Sequence, residues 1–317
     1  MYDVTAIGEL LIDFAMKSTD EAGYPTMAAN PGGAPGNFLA ALNAYGCTTA
    51  FIGKVGEDTF GQLLLRTMEQ AGIETKGIVT DPDVFTTLAF VTIDETGNRH
   101  FAFARKPGAD TMLKAEEIRY ELIDDCRDFH FGTLSLTDEP VRSATQKAVA
   151  YAKERGKWIS FDPNLRKPLW KSMEEAKKQI LWGLSQADVV KISDEETEFL
   201  WQETPEESAV RLHRDFGVSV VFVTLGAKGC YYSGNGCTGT VKTPSGIQPV
   251  DTTGAGDIFG GSALSRLLKL QKPLAQVTGE ELRDAAAFAC CAASLSTQRL
   301  GGISSVVPME EVWQITT

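Results

Sequence analysis

The sequence predicts an α/β fold, a mostly parallel β-sheet covered by helices, and three observations carry that expectation. Short runs rich in β-branched residues alternate with longer amphipathic segments along most of the 317 residues, the pattern of strands joined by crossover helices. No internal repeat, low-complexity tract or Pro-rich linker breaks the alternation, so a single domain over 1–317 is expected. Polar residues gather directly after the strand runs, where open parallel sheets bind their ligands.

In chain order, strands are predicted at 4–7, 49–52, 129–131, 158–161, 189–191 and 218–223. Between them, 59–71 carries Phe60, Leu63, Leu64, Met68 and Ala71 at helical spacing and stops at Gly72. Segments 38–45, 142–155, 173–184, 206–216 and 280–296 also read as helices. One stretch departs from the pattern: 87–93 and 99–105 read as two strands of a hairpin joined by Asp94-Glu95-Thr96-Gly97-Asn98. Together with the earlier segment it predicts a small antiparallel β-flap, a lid formed by about 14–31 and 86–106. Such lids close over substrates and exclude water.

Composition narrows the function. The chain is 43% hydrophobic, and 30 Lys+Arg against 42 Asp+Glu give a net charge of −12. An acidic surface without a basic run repels phosphate backbones and anionic lipid, so neither nucleic acid nor a membrane is an expected partner. The longest uninterrupted apolar stretch is 285–293, well short of the roughly 20 residues that span a bilayer. The start, Met1-Tyr2-Asp3-Val4, shows no basic n-region, and a cytoplasmic location is expected. The six cysteines form no Cys-x-x-Cys pair, and Cys290-Cys291 reads as buried packing. His100, His130 and His213 have no Cys or His nearby in sequence that would complete a metal cluster.

The strand ends hold the chemistry. They read Gly8-Glu9-Leu10-Leu11-Ile12-Asp13, Asp162-Pro163-Asn164-Leu165-Arg166, Ser193-Asp194-Glu195-Glu196 and Thr224-Leu225-Gly226-Ala227-Lys228-Gly229. Each alone is consistent with a turn or a helix cap; four on one rim point to a ligand site. The strongest element is Asp251-Thr252-Thr253-Gly254-Ala255-Gly256-Asp257, which opens a helical apolar pattern. A turn of tiny residues presents bare N–H groups at the positive end of a helix dipole, suited to phosphate or a developing oxyanion. Asp257, in the first turn, is placed to cap the helix or to take a proton from a hydroxyl held against that phosphate. A second Gly-rich turn, Asn30-Pro31-Gly32-Gly33-Ala34-Pro35-Gly36-Asn37, precedes another helix. Neither turn is a G-x-x-x-x-G-K-[ST] P-loop or a G-x-G-x-x-G dinucleotide fingerprint.

The combination of Gly32-Gly33-Ala34-x-x-Asn37, Gly53-Lys54-Val55-Gly56-Glu57-Asp58-x-Phe60-Gly61 and the Asp251 to Asp257 run resembles the ribokinase-like (PfkB) carbohydrate kinases over nearly the whole chain. Arg105-Lys106-Pro107-Gly108-Ala109-Asp110, Asp162-Pro163-Asn164-Leu165-Arg166 and Ser193-Asp194-Glu195-Glu196 are most similar to the bacterial fructokinases of that family. The resemblance implies a three-layer αβα sandwich with a β-flap and transfer of the γ-phosphoryl of ATP to a sugar hydroxyl. It assigns Asp257 as base and the Gly254, Ala255 and Gly256 amides as anion hole. Asp13, Gly33, Asn37, Phe103, Arg105 and Arg166 fall on sugar-contacting positions, and Asn164, Ser193, Thr224, Gly226 and Gly229 on the nucleotide side. Glu196 matches the acidic member of an Asn-x-x-Glu element tied to Mg²⁺ through water, with Ser193 standing where the Asn would be. Asp251, Thr253 and Gly301 resemble a monovalent-cation loop, so K⁺ is a further candidate. The family also commonly pairs as a homodimer through the flap.

Fructose is the expected acceptor. 2-Keto-3-deoxygluconate and aminoimidazole riboside or another nucleoside keep the chemistry and change only the pocket. A non-catalytic sugar or nucleotide sensor is the competing class, although a sensor has no need of a base at Asp257. A dehydrogenase would need a Gly-rich turn after its first strand, which Gly8 does not begin.

Overall fold

Two-residue alternation builds the main sheet. In β11 (Val220–Thr224), Val221 and Val223 join the core on one face of the sheet, while Val220 and Phe222 join the core on the other. The same split separates Ile7 from Val4 and Ala6 in β1 (Tyr2–Ile7), as expected for strands buried on both faces. The structure, a computed structural model, describes residues 1–93 and 99–316.

The other strands of this sheet are β4 (Thr49–Gly56), β5 (Glu74–Asp81), β8 (Cys126–Gly132), β9 (Trp158–Asp162), β10 (Val189–Ser193), β12 (Cys230–Gly234) and β13 (Cys237–Val241). The nine strands lie in the order β13-β12-β11-β10-β9-β8-β1-β4-β5. They run parallel from β5 to β11, and β12 and β13 close the sheet antiparallel. One face packs on the helices Val141–Glu154, Met173–Leu184 and Pro205–Phe216. The other packs on Ala34–Ala44, Ala255–Lys269 and Gly279–Ser296. This is the three-layer αβα architecture.

A second, four-stranded sheet forms the lid, in the order β3-β2-β6-β7, from β2 (Leu11–Thr19), β3 (Pro25–Gly32), β6 (Thr87–Ile93) and β7 (Arg99–Ala104). It is not wholly antiparallel as expected, because β2 and β6 pair in parallel. Both excursions leave the same rim of the main sheet, so their outgoing strands run side by side and their returning strands become the edges. The connection 94–98, where the hairpin turn was expected, lies outside the described residues.

The strands that periodicity overlooks in the main sheet are marginal ones. β5 is an edge strand with mixed polarity, and the β12–β13 hairpin turns on Asn235-Gly236, both at positive φ (51° and 75°). The Asn-Gly pair was the available signal. Cys290 and Cys291 are buried, as expected. His213 bonds the Val218 carbonyl (2.6 Å) and Ser233 (2.7 Å), a structural role.

Phe129 is fully buried in the centre of β8. Phe129→Ala should lower unfolding free energy by roughly 3–5 kcal/mol, read as a drop in the urea midpoint; a loss below about 1 kcal/mol would mean the β8 core collapses onto the cavity.

Candidate active site

The carboxyl ends of β1, β8, β9 and β10 meet the start of the Ala255–Lys269 helix. Gly254 caps that helix at φ 74°, a left-handed conformation that favours glycine. A Cβ there would lie 3.0 Å from Asn37 Nδ2. The Ala255 N–H donates back to the Thr252 carbonyl at 3.3 Å, leaving the following amides of the first turn for a ligand.

Asp257 follows in that turn. Its carboxylate is buried and does not cap the helix; Asn37 Nδ2 donates to its Oδ2 at 2.9 Å. Burial pushes the Asp257 carboxyl above the ordinary range, and Lys191, the Asn37 bond and Arg166 pull against that rise. Asn37 is set by the Ala34–Ala44 helix, capped by Gly33 at φ 116°. The other amide atom, Asn37 Oδ1, is buried without a hydrogen-bond partner among the described residues.

The lid sheet aligns the sugar-side candidates. Asp13 pairs with Asn30 on one side and Ala89 on the other, and Ala89 pairs with Phe103. Directly paired residues share a face, so Asp13 and Phe103 are presented together. Burial pushes Asp13 to about 7, offset by Arg166 and reinforced by Asp257 and Asp251. Arg166 is exposed, and its charge acts on both Asp13 and Asp257.

Arg105 sits elsewhere in this arrangement. It is 5% exposed, and its Nε and Nη2 donate to Asp110 (2.9 and 2.6 Å), Nη1 to Thr137 (2.8 Å) and Nη2 to the Leu134 carbonyl (2.8 Å). Four of its five N–H groups are spent on protein acceptors. The guanidinium is held at the base of the lid, not free to fork onto a ligand as expected.

Of the nucleotide-side candidates, Thr224, Gly226 and Gly229 line one cleft of about 290 Å³ with Ile247, Phe259 and Ala293, an apolar slot next to Ala255 and Gly256. Asn164 and Ser193 lie apart from it. Asn164, at φ 45°, lines a narrow polar chamber with Glu9, His130, Asp162 and Asp257. Ser193 caps the Asp194–Trp201 helix, its Oγ accepting from Glu196 N at 3.2 Å. Glu196 answers with both oxygens, accepting from Leu165 N (2.7 Å) and Ser193 N (2.8 Å). Asp251, Thr253 and Gly301 come together: the Asp251 carboxylate accepts from Thr253 N (3.0 Å), Thr253 Oγ1 (2.7 Å) and Gly301 N (3.0 Å).

Four further residues at the site, Lys191, Asp162, Glu9 and His130, receive no role from the sequence. Lys191 Nζ pairs with Asp162 at 2.9 and 3.1 Å. It would lie 3.1 Å from a Cβ on Gly256, beneath the first turn of the Asp257 helix. Burial opposes its ammonium, but Asp162, Glu196 and Asp257 outweigh burial and hold its pKa high. Glu9, pushed to about 7 by burial, accepts from Ala34 N at 2.8 Å and so anchors the Gly33 turn. His130, pushed to about 3 by burial and by Lys191, stacks on Phe38 at 3.6 Å and meets Ser160 Oγ at 3.0 Å. A lysine in a strand and a histidine beside phenylalanines carry no sequence signal, whereas Asp162 and Glu9, at strand ends, did.

A buried carboxylate beside a helix N-terminus, with an apolar slot on one side and a narrow polar chamber on the other, can accept a hydroxyl proton while an anion is held next to it. Known proteins share the fold. The chain is 40% identical over 316 residues to Fructokinase-1 of Zea mays, covering 98% of this chain and 97% of that one. The structure of a fructokinase from Xylella fastidiosa with bound ATP superposes with a TM-score of 0.89 at 28% identity, over 99% of this chain and 98% of that one. That of a fructokinase from Vibrio cholerae O395 with fructose, ADP and calcium ion bound gives 0.86 at 31% identity, over 100% and 99%. The pattern of the pfkB family carbohydrate kinases matches residues 1–309, and the chain belongs to that family.

Proposed function

We propose that this chain is an ATP-dependent fructokinase, transferring the γ-phosphoryl group of ATP to the 6-hydroxyl of D-fructose. The observation that carries the reading is the buried Asp257 carboxylate, held by Asn37 at the first turn of its helix between the two clefts. The sugar oxygen attacks the γ-phosphorus, the bond to the β,γ-bridging oxygen breaks, Asp257 takes the hydroxyl proton and ADP leaves. The Gly254 to Gly256 turn stabilises the equatorial oxygens of the moving group. Asp13, Gly33, Asn37, Phe103 and Arg166 hold the sugar, and Thr224, Gly226 and Gly229 the nucleotide, with Asn164 and Ser193 nearer the phosphates. Lys191 adds the charge that keeps Asp257 ionised.

Glu196 suits a magnesium ion held through water, because each of its oxygens already accepts one backbone N–H and retains one lone pair. A divalent cation there neutralises charge on the nucleotide's phosphates. Asp251, Thr253 and Gly301 are the candidate site for K⁺. A cytoplasmic location and a homodimer paired through the lid, whose edge strands are β3 and β7, complete the proposal; no helix among the described residues is long and apolar enough to cross a membrane.

The commitment of Arg105 to Asp110 favours fructose over 2-keto-3-deoxygluconate, whose carboxylate calls for both arginines in the pocket. The Zea mays relative and the fructose-bound Vibrio cholerae structure point the same way. A sensor would not need a base whose ionisation is defended by Lys191.

ADP release with Mg²⁺ and ATP should be greatest for fructose in a panel with ribose, 2-keto-3-deoxygluconate and aminoimidazole riboside; a larger kcat/KM for another member replaces the substrate. Asp257→Asn should retain sugar binding in calorimetry and lose roughly 10²- to 10⁴-fold in kcat, and full turnover would remove Asp257 from its role. Asp257 must be ionised to act, and its pKa is raised. Activity should therefore fall on the acid side starting above the usual aspartate value of about 3.9. Lys191→Met, which removes a charge that lowers that pKa, should move the acid limb further up, and a shift downward would contradict the assignment. Gly302→Ala would put a Cβ 2.1 Å from Asn37 Oδ1. It should cost about tenfold or more in kcat with little change in melting temperature.

A further inference from the structure

The run Gly53-Lys54-Val55-Gly56-Glu57-Asp58 takes no part in the chemistry above, yet two of its three charged side chains, Lys54 and Asp58, converge on the base of the lid. The β6–β7 excursion begins after β5 and returns through residues 105–117. Lys54, 6% exposed, bridges Asp81 Oδ2 (3.0 Å) on the way in to Glu117 Oε1 (2.8 Å) on the way out. Its ammonium also reaches the Met112 carbonyl at 3.4 Å. One buried cation thus ties both ends of the excursion to β4.

Asp58 fastens the hinge itself. Thr86, 2% exposed, immediately precedes β6. Asp58 Oδ2 accepts from Thr86 N (2.8 Å) and Oδ1 from Thr86 Oγ1 (3.0 Å), while Gly56 N donates to the same hydroxyl (3.0 Å). Oδ1 also caps the Thr59–Gln70 helix by accepting from Phe60 N (2.8 Å) and Gly61 N (2.9 Å). The next residue, Thr87, donates to Asp110, the partner of Arg105 at the far end of β7. Both lid strands are therefore fixed at their roots, three residues from the Ala89 and two from the Phe103 that share the Asp13 row.

We propose that Asp58 and Lys54 are positioning residues that clamp the hinge of the β6–β7 lid strands against β4, holding Phe103 over the sugar and setting sugar affinity without touching substrate. The kinetic readout rests on the sugar-kinase reading; a second readout does not. Asp58→Asn separates the two duties of the side chain. Asparagine keeps an oxygen for Phe60 and Gly61 and caps as well as aspartate, but turns an NH₂ toward the Thr86 N–H.

Sugar kcat/KM should fall about tenfold in Asp58→Asn, the scale of one charge-assisted hydrogen bond, while the KM for ATP stays within about twofold. Amide hydrogen exchange should quicken in 87–91 and 101–104 and stay unchanged in β1 and β8. Thr86→Val should reproduce part of both effects and Thr86→Ser should restore wild-type values. Unchanged sugar kinetics and lid exchange in Asp58→Asn overturn the clamp, as does equal loss for sugar and ATP with faster exchange throughout the main sheet. If the wild-type chain turns over no sugar, the kinase reading fails on its own, and lid exchange alone decides for or against the clamp.

Discussion

A buried carboxylate set against a buried lysine is the interaction on which the rest of this site depends. Removing a lone carboxylate from water is costly, and the usual response is a raised pKa. Asp257 offsets part of that cost through Lys191, the Asn37 amide and Arg166, and its pKa still lies above the ordinary value. Lys191 is itself buried and stays charged only because Asp162, Glu196 and Asp257 surround it. The acids and the lysine are thus mutually dependent, and removing either side leaves an uncompensated charge, the situation in which buried pairs become strongly destabilising. This explains why a strand lysine lies under the first turn of the helix: its charge reinforces the dipole where phosphate oxygens would approach.

The lid sheet is held at its roots. The roots are polar groups, one of which, Glu9, also lines the polar chamber. Glu9 holds the Gly33 turn where β3 returns, Asp58 holds Thr86 where β6 leaves, and Asp110 joins Thr87 to Arg105. Glu9 and Arg105 act on each other electrostatically, so the roots of the two excursions are linked. A four-stranded sheet with so few residues has little core of its own, and Phe14, stacked on Phe90 at 5.3 Å and set edge-on to Phe60 at 5.5 Å, supplies what there is. Its placement must come from its roots.

Much of this was readable in the chain because local patterns and tertiary demands agree. The helix 173–184 was bounded correctly from its spacing, and the structure adds a Ser172 cap at its start; the Asp251 to Asp257 run announced a helix start with an acid in its first turn. What stayed hidden depends on contacts distant in sequence. Arg105 reads as a surface or substrate arginine until Asp110 and Thr137 are seen to enclose it. Ser193 and Glu196 read as a metal element, and their reciprocal hydrogen bonds form a capping box equally well. Lys191 has no sequence neighbour that predicts a buried partner 29 residues away. The parallel pairing of β2 with β6 follows from where each excursion leaves the sheet, which no local window contains.

The positions of the two clefts follow from strand order. From β1 the chain lays β4 and β5 on one side and β8 to β11 on the other, so the crossovers diverge between β1 and β8, the place where an open sheet leaves a crevice. Glu9, after β1, and His130, Gly132 and Thr133, at the end of β8, line the polar chamber there. The apolar slot lies beyond the end of β11, where β12 reverses direction and no further crossover helix fills the rim. The Ala255–Lys269 helix packs on the face between these two openings, with Asp257 lining the chamber and Ala255 and Gly256 lining the slot. A single helix N-terminus therefore borders both openings.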